Sequence, residues 1–152
     1  MNICVVGVSH LSQVTAACLA HAGHCVAILN QDRLPLPTWP TESTLDDLLH
    51  EGYTNGRLTI TTEIDTAVCP ADVVWIANDL PLDVNDRTDI DAQLKSWTRL
   101  FPCLQPRALV LLSSQVPVGT TWRLEKLFDD WWPTRYVHYP GNGFGYIPEN
   151  LQ

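Results

Sequence analysis

The stretch "MNICVVGVSHLS" (1–12) joins a short run of β-branched and apolar residues, Ile3 to Val6, to a single glycine, Gly7, and then to polar residues. A run this short and this apolar suits a strand covered on both faces, and Gly7 falls where such a strand has to turn sharply. A helix is expected next. Leu11, Val14, Thr15, Cys18, Leu19 and Ala22 sit at the i, i+3, i+4, i+7, i+8 spacing of one buried stripe, ending at Gly23. "HCVAILN" (24–30) then reads as a second strand. Strand, glycine turn, helix and strand in this order open a nucleotide-binding βαβ unit, a stronger sign than glycine spacing alone.

Outward from this unit, Pro35, Pro37 and Pro40 mark a loop, "LDDLLHEG" (45–52) a short helix closed by Gly52, and "GRLTITT" (56–62) an alternating strand. "EIDTAVCP" (63–70) is a helical turn stopped by Pro70, and "ADVVWIA" (71–77) a fully buried strand. "NDLPLDVNDRTD" (78–89) is an acidic loop, after which Thr88 and Asp91 have capping-box spacing for a helix through Phe101. "RALVLLSSQVP" (107–117) reads as a long buried strand, "GTTWRLEKLFDDWW" (119–132) as a helix, "RYVHYP" (135–140) as a strand and the glycine-rich "YPGNGFGY" (139–146) as a surface loop. The alternation predicts an α/β fold, a doubly wound parallel sheet of Rossmann type in one domain over residues 1–152. Ligands of such sheets sit outside the strand C-termini. Gly7 to Ser12, Asn30, Asn78 to Pro81, Ser113 to Pro117 and the region after Tyr139 should therefore line one crevice.

A formal charge of −8 argues against nucleic acid or an anionic membrane as partner, since both need a basic face. No apolar run is long enough to span a bilayer and no basic leader precedes a hydrophobic core, so the reading is a cytoplasmic protein. Small anionic ligands stay open, because a helix N-terminus supplies a local positive field. The five cysteines, Cys4, Cys18, Cys25, Cys69 and Cys103, mostly fall in apolar patterns and read as reduced core thiols. Cys18, His21, His24 and Cys25 imitate zinc spacing, but the wheel places Cys18 toward the core and His21 off to one side, so no metal is assigned. Calcium is rejected for Asp83, Asn85 and Arg87, where the required glycine is missing and Leu94 occupies the place of the bidentate Glu. Of the six tryptophans, Trp39, Trp75, Trp97 and Trp122 are expected mostly in the core, with Trp132 left open between core anchor and partner patch.

Several motifs in order resemble one family, the UDP-glucose and GDP-mannose 6-dehydrogenases. "GRLTITTEIDTAVCPADVVWIA" is similar to that family's G-R-L-x-x-T-T-D…A-D-V-V-x-I-A stretch, and "VPVGTT" to its hexapeptide. One branch is similar at His10-Leu11, at "DLPLDVNDRTD", at "SSQVPVGTTWRLE" and at "YIPENL" (146–151). The resemblance implies a four-electron oxidation in which the C6 alcohol of a UDP- or GDP-sugar becomes a carboxylate by two hydride transfers to NAD. It implies a cofactor site at Gly7, Val8, Ser9, His10, Leu11, Ser12, Asn30, Leu80, Pro81, Gln115 and Val116. It further implies a catalytic Glu149 from the P-E motif, and a homodimer for the full-length enzyme. The family's nucleophilic Cys, its Lys and Asn partners and its dimer helix match nothing here, so these residues read as a cofactor-binding portion of a longer, truncated enzyme, the central helix and sugar-binding domain being absent.

The departures matter too. The family's G-x-G-x-x-G falls on Gly7, Ser9 and Ser12; the third glycine serves close packing of helix on strand, so Ser12 either sets the helix off slightly and changes its capping, or is tolerated with its hydroxyl satisfying a terminal N–H. Asn30 stands where an acidic residue would hold the adenosine ribose, with Asp32 two residues on. Exchanging a charged for a neutral hydrogen bond weakens NAD roughly tenfold. Asn30 with Arg33 also leaves NADP open as an alternative cofactor. Leu80 replaces a Thr, and Gln115 stands where relatives outside the branch place a Thr that holds the attacking water. The combined change at Ser12, Asn30 and Leu80 keeps a second reading in view, a degenerate Rossmann module acting as a structural or interaction domain. Glu149 has a plainer reading too, a first-turn helix residue stabilised by the dipole after Pro148.

Overall fold

A computed structural model of the chain describes residues 1–31, 34, 43–80, 88–132 and 142–148. The opening run forms β1, Asn2–Val6, with Ile3, Cys4, Val5 and Val6 buried. There follow α1 (His10–His21), β2 (Cys25–Leu29), α2 (Ser43–Thr54), β3 (Leu58–Thr61), α3 (Ile64–Val68), β4 (Val73–Ile76), α4 (Ile90–Trp97), a 3-10 helix over Thr98–Cys103, β5 (Leu109–Leu112), α5 (Thr120–Trp131) and β6 (Gly143–Tyr146). These strands make one parallel sheet in the order β3-β2-β1-β4-β5-β6. The chain winds outward from β1 to β3, returns past β1 to β4 and winds out the other way. The winding reverses between β1 and β4, and the C-terminal ends of these two strands are where sheets of this kind take ligands.

Alternation along the strands builds two cores. Ile3, Val5, Val26, Ile28 and Val73 pack with Ala16 and Ala20 of α1 on one face. Cys4, Val6, Leu29, Val74, Ile76, Val110 and Leu112 face the other way, against Val68, Leu94, Trp97, Phe101, Leu124 and Phe128. Each such aliphatic side chain contributes about 1.5–3 kcal/mol of burial. Burial pushes the Cys4 thiol up to about 12.

Several local expectations are corrected. The buried face of α1 is Ser12, Gln13, Ala16, Ala17 and Ala20, not the Leu11–Val14–Cys18 stripe; Cys18 is exposed. The physical reason is closeness, since a helix lying directly on a sheet buries small side chains and lets larger ones flank the contact. Cys25 and Cys69 are also exposed and Cys103 half-buried, so Cys4 is the one cysteine in the core. Gly52 does not end α2 but lies inside it, where a Cβ would come 2.9 Å from Leu58 Cβ and 3.4 Å from Ala20 Cβ. Asp89, not Thr88, caps α4, its carboxylate accepting the Ala92 N–H at 3.0 Å, and the helix tightens into the 3-10 turn around Pro102 before Phe101 is passed. β5 ends at Leu112, and 113–118 is irregular.

The glycine-rich tail holds the largest surprise. Residues 143–146, expected as loop, are strand β6, paired in parallel with β5. Gly143 and Gly145 leave room for Leu109 and Leu111, whose methyls would lie 3.2 Å from a Cβ at either position, while Phe144 packs against Phe128 in a tilted arrangement, 5.4 Å between ring centroids. Trp97 is buried and Trp132 packs on the core beside Phe128, whereas Trp122 is exposed rather than buried. The strand expected at 135–140 and Trp39 lie outside the described residues.

Candidate functional site

Gly7 has φ +113, and a Cβ there would lie 2.6 Å from Asn78 Cα. The turn leaving β1 thus rests directly against the backbone leaving β4, a contact closed to any residue with a side chain. The Gly7 N–H donates to the Leu29 carbonyl at 3.0 Å, which ties the same turn to the end of β2.

Ser9 is the N-cap of α1: its Oγ accepts the Ser12 N–H at 3.2 Å and its carbonyl accepts the Gln13 N–H at 3.1 Å. The Ser9 hydroxyl donates to the Ala77 carbonyl at 2.7 Å, and the Ser12 hydroxyl to the same oxygen at 2.8 Å. A carbonyl oxygen has two lone pairs, so both bonds are made at once. The role expected of Ser12 falls to Ser9, which satisfies the terminal N–H, while Ser12 ties the helix to the end of β4. Both side chains are buried. The first turn of α1 contains no acidic residue, so nothing there opposes the positive field of the helix N-terminus.

The opposite wall comes from the ends of β4 and β5. The Ser114 hydroxyl donates to the Asn78 carbonyl at 2.8 Å, the Trp97 indole N–H to Asn78 Oδ1 at 3.3 Å, and the Trp75 indole N–H to Ser113 Oγ at 2.7 Å. Leu80 and Val116 are half-buried against the core, and Gln115 beside them is exposed. Gly7, Ser9 and Ser12 are therefore brought together with Ala77, Asn78 and Ser114. Sequence reasoning gave Ala77 no part in the crevice, because a backbone carbonyl leaves no residue-type signal; the i, i+3 spacing of Ser9 and Ser12 was the available hint. Val8 is buried, and His10 and Leu11 half-buried, at the start of α1.

Asn30, at the end of β2, is 9% exposed and uses its amide on its own loop: Oδ1 accepts the Leu34 N–H at 2.9 Å and Nδ2 donates to the Leu34 carbonyl at 2.7 Å. A carboxylate could make the first of these bonds but not the second. Asp32, Arg33, Pro81 and Glu149 lie outside the described residues.

Residues 1–133 match the UDP-glucose/GDP-mannose dehydrogenase family, NAD binding domain. The chain is 30% identical over 135 residues to UDP-glucose 6-dehydrogenase of Pseudomonas aeruginosa, covering 84% of this chain and 29% of that protein. It is 28% identical over 149 residues to UDP-glucose 6-dehydrogenase of Rhizobium meliloti, covering 93% and 34%. Among solved structures, GDP-mannose dehydrogenase of P. aeruginosa superposes with TM-score 0.73 at 26% identity, over 86% of this chain and 32% of that one. UDP-D-ManNAc dehydrogenase of Pyrococcus horikoshii shares the fold at TM-score 0.80 and 21% identity, over 100% and 37%. The chain thus spans about a third of the length of the relatives it matches. The turn after β1, the winding reversal beside it and the match over residues 1–133 agree: this chain belongs to the UDP-glucose/GDP-mannose dehydrogenase family, of which it carries the domain that binds NAD.

Proposed function

We propose that this domain holds the cofactor for a nucleotide-sugar 6-dehydrogenase that oxidises the C6 alcohol of a UDP- or GDP-sugar to the carboxylate, the sugar being held by parts of the enzyme outside these residues. The first turn of α1 carries the proposal: it holds no acidic side chain, and both its serine hydroxyls are committed to Ala77 rather than to the crevice. NAD bound there would accept hydride from the substrate carbon. In this reading the amides of His10 and Leu11 face the diphosphate, with Gly7 and Val8 setting the approach of the backbone. Asn30 meets the adenosine ribose with the lone pair and N–H that Leu34 leaves over. Leu80, Pro81 and Val116 border the nicotinamide, Gln115 orients water, and Glu149 assists its attack. The similarity of the chain to dehydrogenases over most of its length does not favour a degenerate interaction module.

Calorimetric titration of the folded chain with NAD tests this. Saturable heat below millimolar ligand is expected, with NADP weaker; no heat at millimolar NAD would overturn the reading. Asn30→Asp places a carboxylate at the ribose but gives up the bond to the Leu34 carbonyl, and is expected to tighten NAD by at most about tenfold. An affinity unmoved both by that change and by Asn30→Ala removes Asn30 from the site.

A further inference from the structure

On the far side of the molecule's second core, α3 and the 3-10 helix bring two thiols and a carboxylate together. Asp65 and Cys69 are one turn apart on α3, at its first turn and its C-cap, and Cys103 ends the 3-10 helix. The Cys103 thiol donates to Asp65 Oδ1 at 3.0 Å, and the ligand atoms of Asp65, Cys69 and Cys103 all lie within 4.8 Å of one another. We propose that these three residues form a binding site for a thiophilic divalent cation of the zinc class, a site separate from the cofactor crevice.

The donor set decides the metal class. Two thiolates with one carboxylate suit zinc and its cobalt and cadmium surrogates, and are poor ligands for magnesium or calcium, which take oxygen. Tetrahedral zinc with bonds of about 2.3 Å to sulfur sets its two sulfurs roughly 3.8 Å apart, so the sulfur pair needs to close by no more than about 1 Å, while the 3.0 Å edge between Cys103 and Asp65 opens slightly. The proton that Cys103 donates to Asp65 marks the direction from which the cation would be held, and it leaves to solvent together with the Cys69 proton as both thiols ionise onto the metal.

The frame behind the ligands is fixed as well. The Gln105 amide donates to the Cys69 carbonyl at 2.6 Å, and the Asn142 amide to the Gln105 carbonyl at 3.0 Å, which links the cluster to the residue preceding β6. Asp65 and Cys69 are exposed and Cys103 half-buried, so the cation can enter without unfolding and water can take the fourth position. The ion would clamp α3 to the 3-10 helix.

The test is titration of the reduced, metal-free chain with Co2+, followed by its visible tetrahedral bands and the thiolate charge-transfer band, and with Zn2+ by competition. One ion per chain is expected, with melting raised by roughly 5–10 °C at zinc a hundredfold above Kd. Affinity should fall at least ~100-fold in Cys69→Ser and in Cys103→Ser, beyond what even an outer partner's loss costs. A Cys18→Ser/Cys25→Ser double variant should bind as the parent does. Sub-stoichiometric or octahedral cobalt would overturn the proposal. So would affinity unchanged by Cys103→Ser, or recovery of Cys69 and Cys103 as an intramolecular disulfide that a glutathione buffer leaves intact.

Discussion

At the scale of residues, Ser9 and Ser12 do different work through one oxygen. Ser9 caps α1 and bonds Ala77, so Ser9→Ala removes a cap and one of two bonds to a buried carbonyl; a loss of about 1–3 kcal/mol is expected. Ser12→Ala leaves Ala77 bonded to Ser9 and should cost less, under about 1.5 kcal/mol. Urea midpoints of the two variants check the order, and a reversal would mean that the Ser12 bond holds the turn. The sequence made this turn legible through Gly7 and the apolar run before it. It did not disclose which serine does what, because the partner is a main-chain oxygen brought from 65 residues away.

At the scale of elements, legibility followed periodicity. β1, β2 and β4 are apolar over four or five residues and are found where their patterns put them. α1 was placed but rotated, because scoring large apolar residues misses a face made of alanine and serine. β6 was missed because Gly143 and Gly145 are turn formers by composition; here they are gaps into which Leu109 and Leu111 fit. Gly52 likewise resembles a helix stop by composition but lies inside α2, and it supplies a test. In an exposed helix Gly→Ala stabilises by about 1 kcal/mol. Inside α2 the added methyl would meet Leu58 Cβ at 2.9 Å, a crowding that costs roughly 1–3 kcal/mol. Gly52→Ala is therefore expected to lower the denaturation midpoint, whereas a rise would mean that α2 can move away from β3.

At the scale of the whole molecule, the doubly wound order was readable because strands and helices alternate with short links, and that order alone places the crevice. Its buried centre also sets an alkaline limit. Burial in the folded chain pushes the Cys4 thiol up to about 12, from 9.0 for an unperturbed thiol. The folded pKa is the higher, so its contribution is whole below pH 9.0 and declines as the pH rises toward about 12, because the unfolded chain ionises first. Thermal melts across that window should show falling stability that Cys4→Ala lessens. A thiol reagent at neutral pH should modify Cys18 and Cys25 in the native chain, and Cys4 only on global unfolding. Modification of Cys4 at the rate of Cys18 would contradict its burial.

β6 also has a bearing on how the molecule keeps to itself. It comes after the matched family segment, which ends at residue 133, yet it zips the flank of β5 and shields Phe128 through Phe144. A version trimmed at that limit would keep every residue of α5 but leave β5 as an open seam, its amides and carbonyls unpaired beside Leu109 and Leu111. Such a seam is flanked by leucines where β6 presents glycines, so the shortened molecule should form larger species than the longer one at the same concentration.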